Sequence, residues 1–250
     1  MNSMRRIQRG ICIVMAPLAL AACEESGGGG PPTQEGELGN GTFTYDCHVE
    51  SDAQCDDSSV VAPVDETLKS LPSVAVGATF QVNYSSKGST PYTTSPVPEF
   101  IVEESEDPDG DGVSIGFYRA VRPGIGVLLG QSSAGPEDLV HVRLEEVADV
   151  VVTRIDAGGN FGFDGAGVID VNVKLEETYF RAVPVTADKR LLSGGLPCMW
   201  TSSDAEVVAI DSEPTDNVVH VQMKKEGTAT LRVDLGGISK EVTLTVGGGM

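Results

Sequence analysis

Short runs of valine and threonine, separated by glycine, proline, aspartate and serine, are the feature that most limits how this chain can fold. They begin near Val60 and continue almost to the end of the sequence. Valine and threonine are β-branched and prefer the pleated strand. Several runs alternate, so that Val140, Val142 and Leu144 point to one side and their polar neighbours to the other. Strands at this spacing with turn residues between them predict an all-β chain of β-sandwiches.

The runs form two series that look like repeats of one unit. Gly124 and Gly227 each precede a strand-like run, and an alternating run follows in both series. The two glycines lie 103 positions apart (227 minus 124). We therefore predict two tandem sandwiches, the first over residues 60–147 and the second over residues 148–248.

The second series carries a set of sequence motifs. The residues WTSSD at 200–204 are followed by VVAI at 207–210 and by EGTATL at 226–231. This order resembles the bacterial immunoglobulin-like domain of group 2, of the intimin and invasin type, and the match covers about residues 175–247. The resemblance implies Greek-key sandwiches displayed outside the cytoplasm. It implies no catalytic residues, because the family serves as spacer and adhesive modules.

The first series resembles that family less closely. Phe100 or Ile101 stands where the tryptophan would be, and an acidic loop replaces Ser-Ser-Asp. Trp200 is the only tryptophan of the chain. A single large ring between two sheets is a core anchor in such sandwiches, so we expect Trp200 to pack in the core rather than to stack on carbohydrate.

The first 22 residues predict a secretory signal peptide. Three arginines and no acid precede an apolar stretch at 11–20, which is too short for a membrane-spanning helix of about 20 residues. The sequence LAAC at 20–23 resembles the lipobox of bacterial lipoproteins, which implies cleavage before Cys23 and a diacylglycerol on its thiol. An ordinary signal peptide with an incidental Cys23, or an uncleaved anchor, is the alternative.

Residues 23–59 predict a lipid-anchored flexible tether that ends in a small cysteine loop. Only Leu38 is a sizeable apolar residue between 24 and 41, so this stretch cannot form a core. Cys47 and Cys55 lie eight residues apart in what should be an oxidising compartment, where a local disulfide is expected. Cys198 is then left over as a small buried apolar residue, and its pairing with one of the other two is the alternative.

The charge of the chain limits its partners. The whole chain carries −20, and removal of three arginines with the signal lowers Lys+Arg from 17 to 14 against 37 acids, or about −23. Nucleic acid and anionic lipid headgroups would be repelled. The expected partners are the membrane, through the lipid on Cys23, and an unidentified protein or glycan. Glu24 after the lipidated cysteine favours the outer membrane over the inner membrane, by resemblance to known envelope systems.

An acidic segment at 103–111 is the sharpest candidate for a metal site. Asp107, Asp109 and Asp111 are spaced like the first three ligands of an EF-hand loop, and a glycine stands at the sixth position. The twelfth position is Tyr118 instead of glutamate, so the segment is not an EF-hand. It is either a Ca²⁺ site completed by neighbouring acids or a solvated turn between strands. We expect no other cofactor.

Two further features carry no catalytic signal. The glycine-rich stretch at 158–167 precedes a strand and not a helix, so it predicts a long hairpin loop and not a phosphate loop. The three histidines, His48, His141 and His220, accompany no Gly-x-Ser-x-Gly motif. The expected function is therefore a non-catalytic, lipid-anchored envelope protein that acts as a spacer or adhesive. The alternative is a Ca²⁺-dependent module that binds glycan or protein with the acidic and glycine-rich loops.

Overall fold

All of the regular structure that we describe is β-strand, which confirms the all-β prediction. Among these residues no helix is long and apolar enough to cross a membrane. The computed structural model describes residues 32–46, 49, 51–52, 71–86, 91–108, 113–155 and 167–247.

The first sandwich has a sheet of order β1-β2-β4-β7-β6 facing a sheet of order β3-β9-β8-β5. Aromatic rings dominate its core, and Phe43, Tyr45, Phe80, Tyr84 and Tyr118 are all fully buried. Its nine strands are β1 Thr33–Glu35, β2 Gly41–Asp46, β3 Val74–Ala75, β4 Thr79–Ser86, β5 Tyr92–Thr94, β6 Ile101–Pro108, β7 Val113–Ala120, β8 Gly124–Ser132 and β9 Gly135–Glu145.

The second sandwich pairs a sheet of order β10-β12-β15-β14 with a sheet of order β11-β17-β16-β13. Aliphatic side chains fill its core around Trp200 and Phe180. Its eight strands are β10 Asp149–Ile155, β11 Asp170–Val173, β12 Glu177–Val185, β13 Cys198–Ser202, β14 Val208–Ile210, β15 Val218–Met223, β16 Gly227–Leu235 and β17 Ile238–Val246.

The two sandwiches repeat one topology. Apart from the extra edge strand β1, the strand orders correspond one to one, including a parallel pair in each (β3 with β9, β11 with β17). Gly124 and Gly227 open the equivalent strands β8 and β16 with φ of 141° and 151°, a region that favours glycine. The two tandem sandwiches expected from the repeat are present.

The N-terminal boundary of the first sandwich differs from the expectation. The predicted tether over 23–59 contains strands β1 and β2, so this sandwich begins at Thr33 and not at residue 60. Phe43 and Tyr45 are buried, whereas Thr42 and Thr44 are only partly covered. This is the alternation of a half-buried strand, but it lasts only six residues and lies among glycines and acids that dominate the local composition.

Candidate functional site

Trp200 lies on β13 between the two sheets of the second sandwich. Its side chain is 2% exposed, and its indole N–H donates a hydrogen bond to the carbonyl oxygen of Asp216 at 2.9 Å. A buried indole with a satisfied N–H is the arrangement expected of a packing residue. The ring offers no free face to a carbohydrate.

The equivalent of Trp200 in the first sandwich is Thr93, and the expectation of Phe100 or Ile101 is wrong. Trp200 pairs with the seventh residue of β16, and Thr93 pairs with the seventh residue of β8. Phe100 and Ile101 precede or begin β6, which belongs to the opposite sheet. Thr93 is small and shares only its place in the fold with Trp200, so the position carries no sequence signal.

The acidic segment begins in β6, which pairs with β7 up to Pro108 and Ser114. The backbone of Asp107 pairs with that of Ile115, and Asp109 and Asp111 lie outside the described residues. Among the nearby acids that we describe, Glu104 receives a hydrogen bond from the Nε of Arg119 at 2.7 Å. No group of three or more His, Cys, Asp or Glu side chains within the described part of the chain is placed to hold a metal ion.

The acidic segment and the glycine-rich stretch belong to different sandwiches. Asp107 lies near the end of β6 in the first sandwich. The stretch 158–167 follows β10 of the second sandwich and, apart from Gly167, lies outside the described residues. One ligand site built from both loops stays a prediction.

The cysteines separate into two groups. Cys23, Cys47 and Cys55 lie outside the described residues, so the lipid site and the predicted disulfide stay predictions. Cys198 is free and begins β13 with 7% of its surface exposed. Burial raises the pKa of its thiol to about 12. The alternative in which Cys198 pairs with another cysteine is therefore wrong.

Both histidines in the described part of the chain contact carboxylates. The Nδ1 of His141 pairs with Glu37, which links β9 to the β1–β2 turn. The ring of His220 stacks on Tyr179 with centroids 4.5 Å apart, and its Nε2 lies 3.5 Å from the Oε2 of Glu177. These are surface cross-strand contacts, which stabilise neighbouring strands.

The linker between the sandwiches is bracketed by two ion pairs that the sequence analysis missed. Glu145, at the end of β9, accepts hydrogen bonds from both terminal nitrogens of Arg190 at 2.9 and 2.8 Å. Asp149, at the start of β10, accepts one from the Nζ of Lys189 at 2.7 Å. Two consecutive cations of the second sandwich therefore hold the acids on either side of the linker 146–148.

These contacts shift the titration of both acids. The hydrogen bonds from Arg190 are the largest cause that lowers the pKa of Glu145, and the bond from Lys189 is the largest cause that lowers the pKa of Asp149. Arg190 is followed by the sequence LLSGGL at 191–196. An apolar run of this kind is unusual for an exposed loop, and it is the signal that could have pointed to a buried contact.

Comparisons with known proteins give distant similarities to surface proteins. No family model and no curated protein matches the chain. Solved structures similar to it include FdeC, an Escherichia coli adhesin, with a TM-score of 0.32 and 14% identity over 72% of this chain and 62% of that one. The Yersinia pseudotuberculosis adhesin InvE gives a TM-score of 0.31 and 12% identity over 74% and 57%. Domains 5–6 of the S-layer protein SbsC give 0.29 and 20% over 72% and 94%.

This chain thus spans less than two thirds of the FdeC and InvE structures. Similarity at this level carries no partner or activity from those proteins to this one. The strand orders described above are what define its architecture.

Proposed function

We propose that this chain is a non-catalytic, lipid-anchored protein of the cell envelope, whose two sandwiches act as a spacer or adhesive unit. The observation that supports the proposal is the tandem repeat of one sandwich topology. A second copy of the same unit makes the folded part of the chain longer. The ionisable clusters described above join strands or sandwiches to each other, which is a structural use of charge.

The anchor in this proposal is Cys23. The lipobox-like LAAC sequence supports it, and so does the short stretch between Cys23 and β1. Nine residues, 24–32, span at most about 30 Å when fully extended. The folded part would therefore be held close to the membrane, and the outer membrane is the location that Glu24 favours.

The decisive experiment is protease treatment of intact cells that express the wild type or Cys23→Ala. We expect the wild type to fractionate with the membrane and to be digested from outside, and the variant to be released or left unprocessed. A wild type found in the soluble fraction would refute lipid anchoring. A membrane-bound wild type that is protected from protease would refute surface display and leave a periplasmic spacer.

The narrower alternative is a Ca²⁺ site at the acidic hairpin. Its support is position, because β6 and β7 stay paired up to Pro108 and Ser114, the described residues on either side of the acidic stretch 109–112. Calorimetry with Ca²⁺ on the wild type and on Asp109→Asn/Asp111→Asn tests it. Heat of binding that the double variant lacks would support the site, and no heat with the wild type would refute it.

A further inference from the structure

The segment 191–196 belongs to the second sandwich in sequence but pairs with the first in space. Its Ser193 donates a backbone hydrogen bond to Ser73 at 2.9 Å and accepts one from Ala75 at 3.0 Å. Gly195 exchanges two backbone hydrogen bonds with Thr79, at 2.8 and 3.0 Å. Ala75 lies on β3 and Thr79 on β4, which belong to opposite sheets. The segment thus pairs with both sheets at the end of the first sandwich.

Gly194 is the point of closest approach in this segment. Its φ is +97°, where side chains are disfavoured. A Cβ there would lie 2.7 Å from the Cβ of Ala78 and 3.1 Å from the carbonyl oxygen of Thr79. Only a residue without a side chain fits this contact.

Apolar side chains seal the same junction. Leu192 is fully buried and Leu196 is 4% exposed. Both belong to one continuous hydrophobic cluster that runs from the core of the first sandwich into the core of the second. Two domains that move independently would be expected to have separate cores and a more polar interface.

The hydroxyl of Tyr45 adds a buried polar contact at this end of the first sandwich. It donates to the carboxylate of Asp52, whose backbone forms an antiparallel bridge with that of Gly195. Burial is the largest cause that raises the pKa of Tyr45 well above its usual value. Tyr45 and Asp52 both come from the first sandwich, so the inserted segment meets a preformed surface.

We infer that the segment 191–196, together with the ion pair between Arg190 and Glu145, locks the two sandwiches into one rigid body. Backbone pairing fixes the direction of the segment, the leucines exclude water, and Arg190 restrains the last residue of β9. The consequence is a fixed separation and orientation of the two sandwiches. This inference does not depend on the lipid anchor.

A distance distribution between the sandwiches tests the lock. Spin labels are placed on Ser85 of β4 and Thr201 of β13 through non-natural amino acids, which leaves the native cysteines untouched, and pulsed electron paramagnetic resonance is recorded. We expect a single narrow distance peak for the full chain and loss of that peak in Gly194→Ala. A broad wild-type distribution would overturn the inference.

Gly237→Ala is the matched control. Gly237 also has a positive φ of +86°, but a Cβ there meets nothing within 4 Å. The control therefore carries the same kind of backbone strain without the clash, and we expect it to keep the narrow peak. A narrow, unshifted peak in Gly194→Ala would overturn the inference, because the segment would then not hold the sandwiches. The fluorescence of Trp200 checks that the second sandwich of each variant is folded.

The ion pair is tested separately with Glu145→Gln, which keeps the shape and removes the charge. We expect the peak to broaden less than in Gly194→Ala, because the backbone pairing and leucines remain. An unchanged width would overturn the part of the inference that assigns restraint to Arg190.

Discussion

Asp138 holds a hairpin that lies about a hundred residues away from it in sequence. Its carboxylate is 1% exposed and accepts backbone hydrogen bonds from Leu38, Asn40 and Gly41 at 2.8, 2.7 and 2.9 Å. Charge-assisted bonds of this kind are stronger than neutral ones. The turn between β1 and β2 is thereby fixed to β9, and strand β2 is held in the sheet.

Replacement of Asp138 by alanine should therefore destabilise the first sandwich. We expect Asp138→Ala to lower the free energy of unfolding in urea by about 2–3 kcal/mol, because hydrogen bonds to a charged group are lost and backbone N–H groups are left without an acceptor. Asp234→Ala is the control, since Asp234 lies on an exposed sheet face, and it should change stability little. Equal effects of the two variants would contradict the assigned role.

Cys198 predicts a simple thiol count. Because its thiol is buried and its pKa is raised to about 12, it should not react with a thiol reagent in the native protein. In urea the detergent-purified, lipidated protein should show one reactive thiol per chain if Cys47 and Cys55 are paired. Three thiols in urea would refute that disulfide, and rapid reaction without urea would refute the burial of Cys198.

At the scale of strands, the sequence predicts well where alternation is long and poorly where it is short or absent. β9 and β17 were expected because their residues alternate over many positions. β10 was not expected, since Val150, Val151 and Val152 are buried on both faces of their sheet and show no alternation. The three-residue β5 offers too few positions for any pattern, and the junction contacts depend on tertiary pairing that periodicity does not encode.

In the two cores, the largest side chain comes from strands that are not equivalent. Tyr84 on β4 and Ala182 on β12 occupy equivalent positions, because the pairs β4–β7 and β12–β15 run in the same register. In the first sandwich the large ring is thus Tyr84 on β4, and the position equivalent to Trp200 holds the small Thr93. In the second sandwich the large ring is Trp200 on β13, and the position equivalent to Tyr84 holds the small Ala182. The ring of Tyr84 fills the space above Gly130, where a Cβ would lie 2.3 Å from it.

This exchange predicts strong coupling between Gly130 and Tyr84. Gly130→Ala should lower the free energy of unfolding by about 1–3 kcal/mol, because the added methyl overpacks the core. The same substitution in a Tyr84→Ala background should cost less, since the ring that it meets is gone. Chemical unfolding of the four proteins of the double-mutant cycle gives the coupling, and additive effects would contradict it. Gly247→Ala, which meets nothing within 4 Å, is the neutral control.

At the scale of the whole molecule, the junction between the two sandwiches combines backbone pairing, apolar packing and an ion pair. A rigid junction suits a spacer, because it keeps the distance between the two sandwiches constant. A flexible linker would allow a wide range of distances between them. The sequence repeat predicts the two units, but not the contacts that join them.

The junction should weaken in acid. The pKa values of Glu145 and Asp149 are lower in the folded protein than in the unfolded chain, so their contribution to stability is present above the unfolded values of about 4 and is lost as pH falls through the folded values. We expect the free energy of unfolding of the wild type to decline below about pH 5. Glu145→Gln/Asp149→Asn should be less stable at neutral pH, and its decline should be shallower because it has lost two of the groups that titrate.

Urea unfolding between pH 3 and 7, followed by Trp200 fluorescence, measures this difference. Glu206→Gln is the control, because Glu206 is an exposed acid away from the junction, and its profile should follow that of the wild type. Added salt should narrow the gap between wild type and double variant at neutral pH, since both ion pairs are partly open to solvent and salt screens such pairs. Parallel pH profiles for the wild type and the double variant would mean that these acids do not couple the junction to folding, and the restraint would then rest on the segment 191–196 alone.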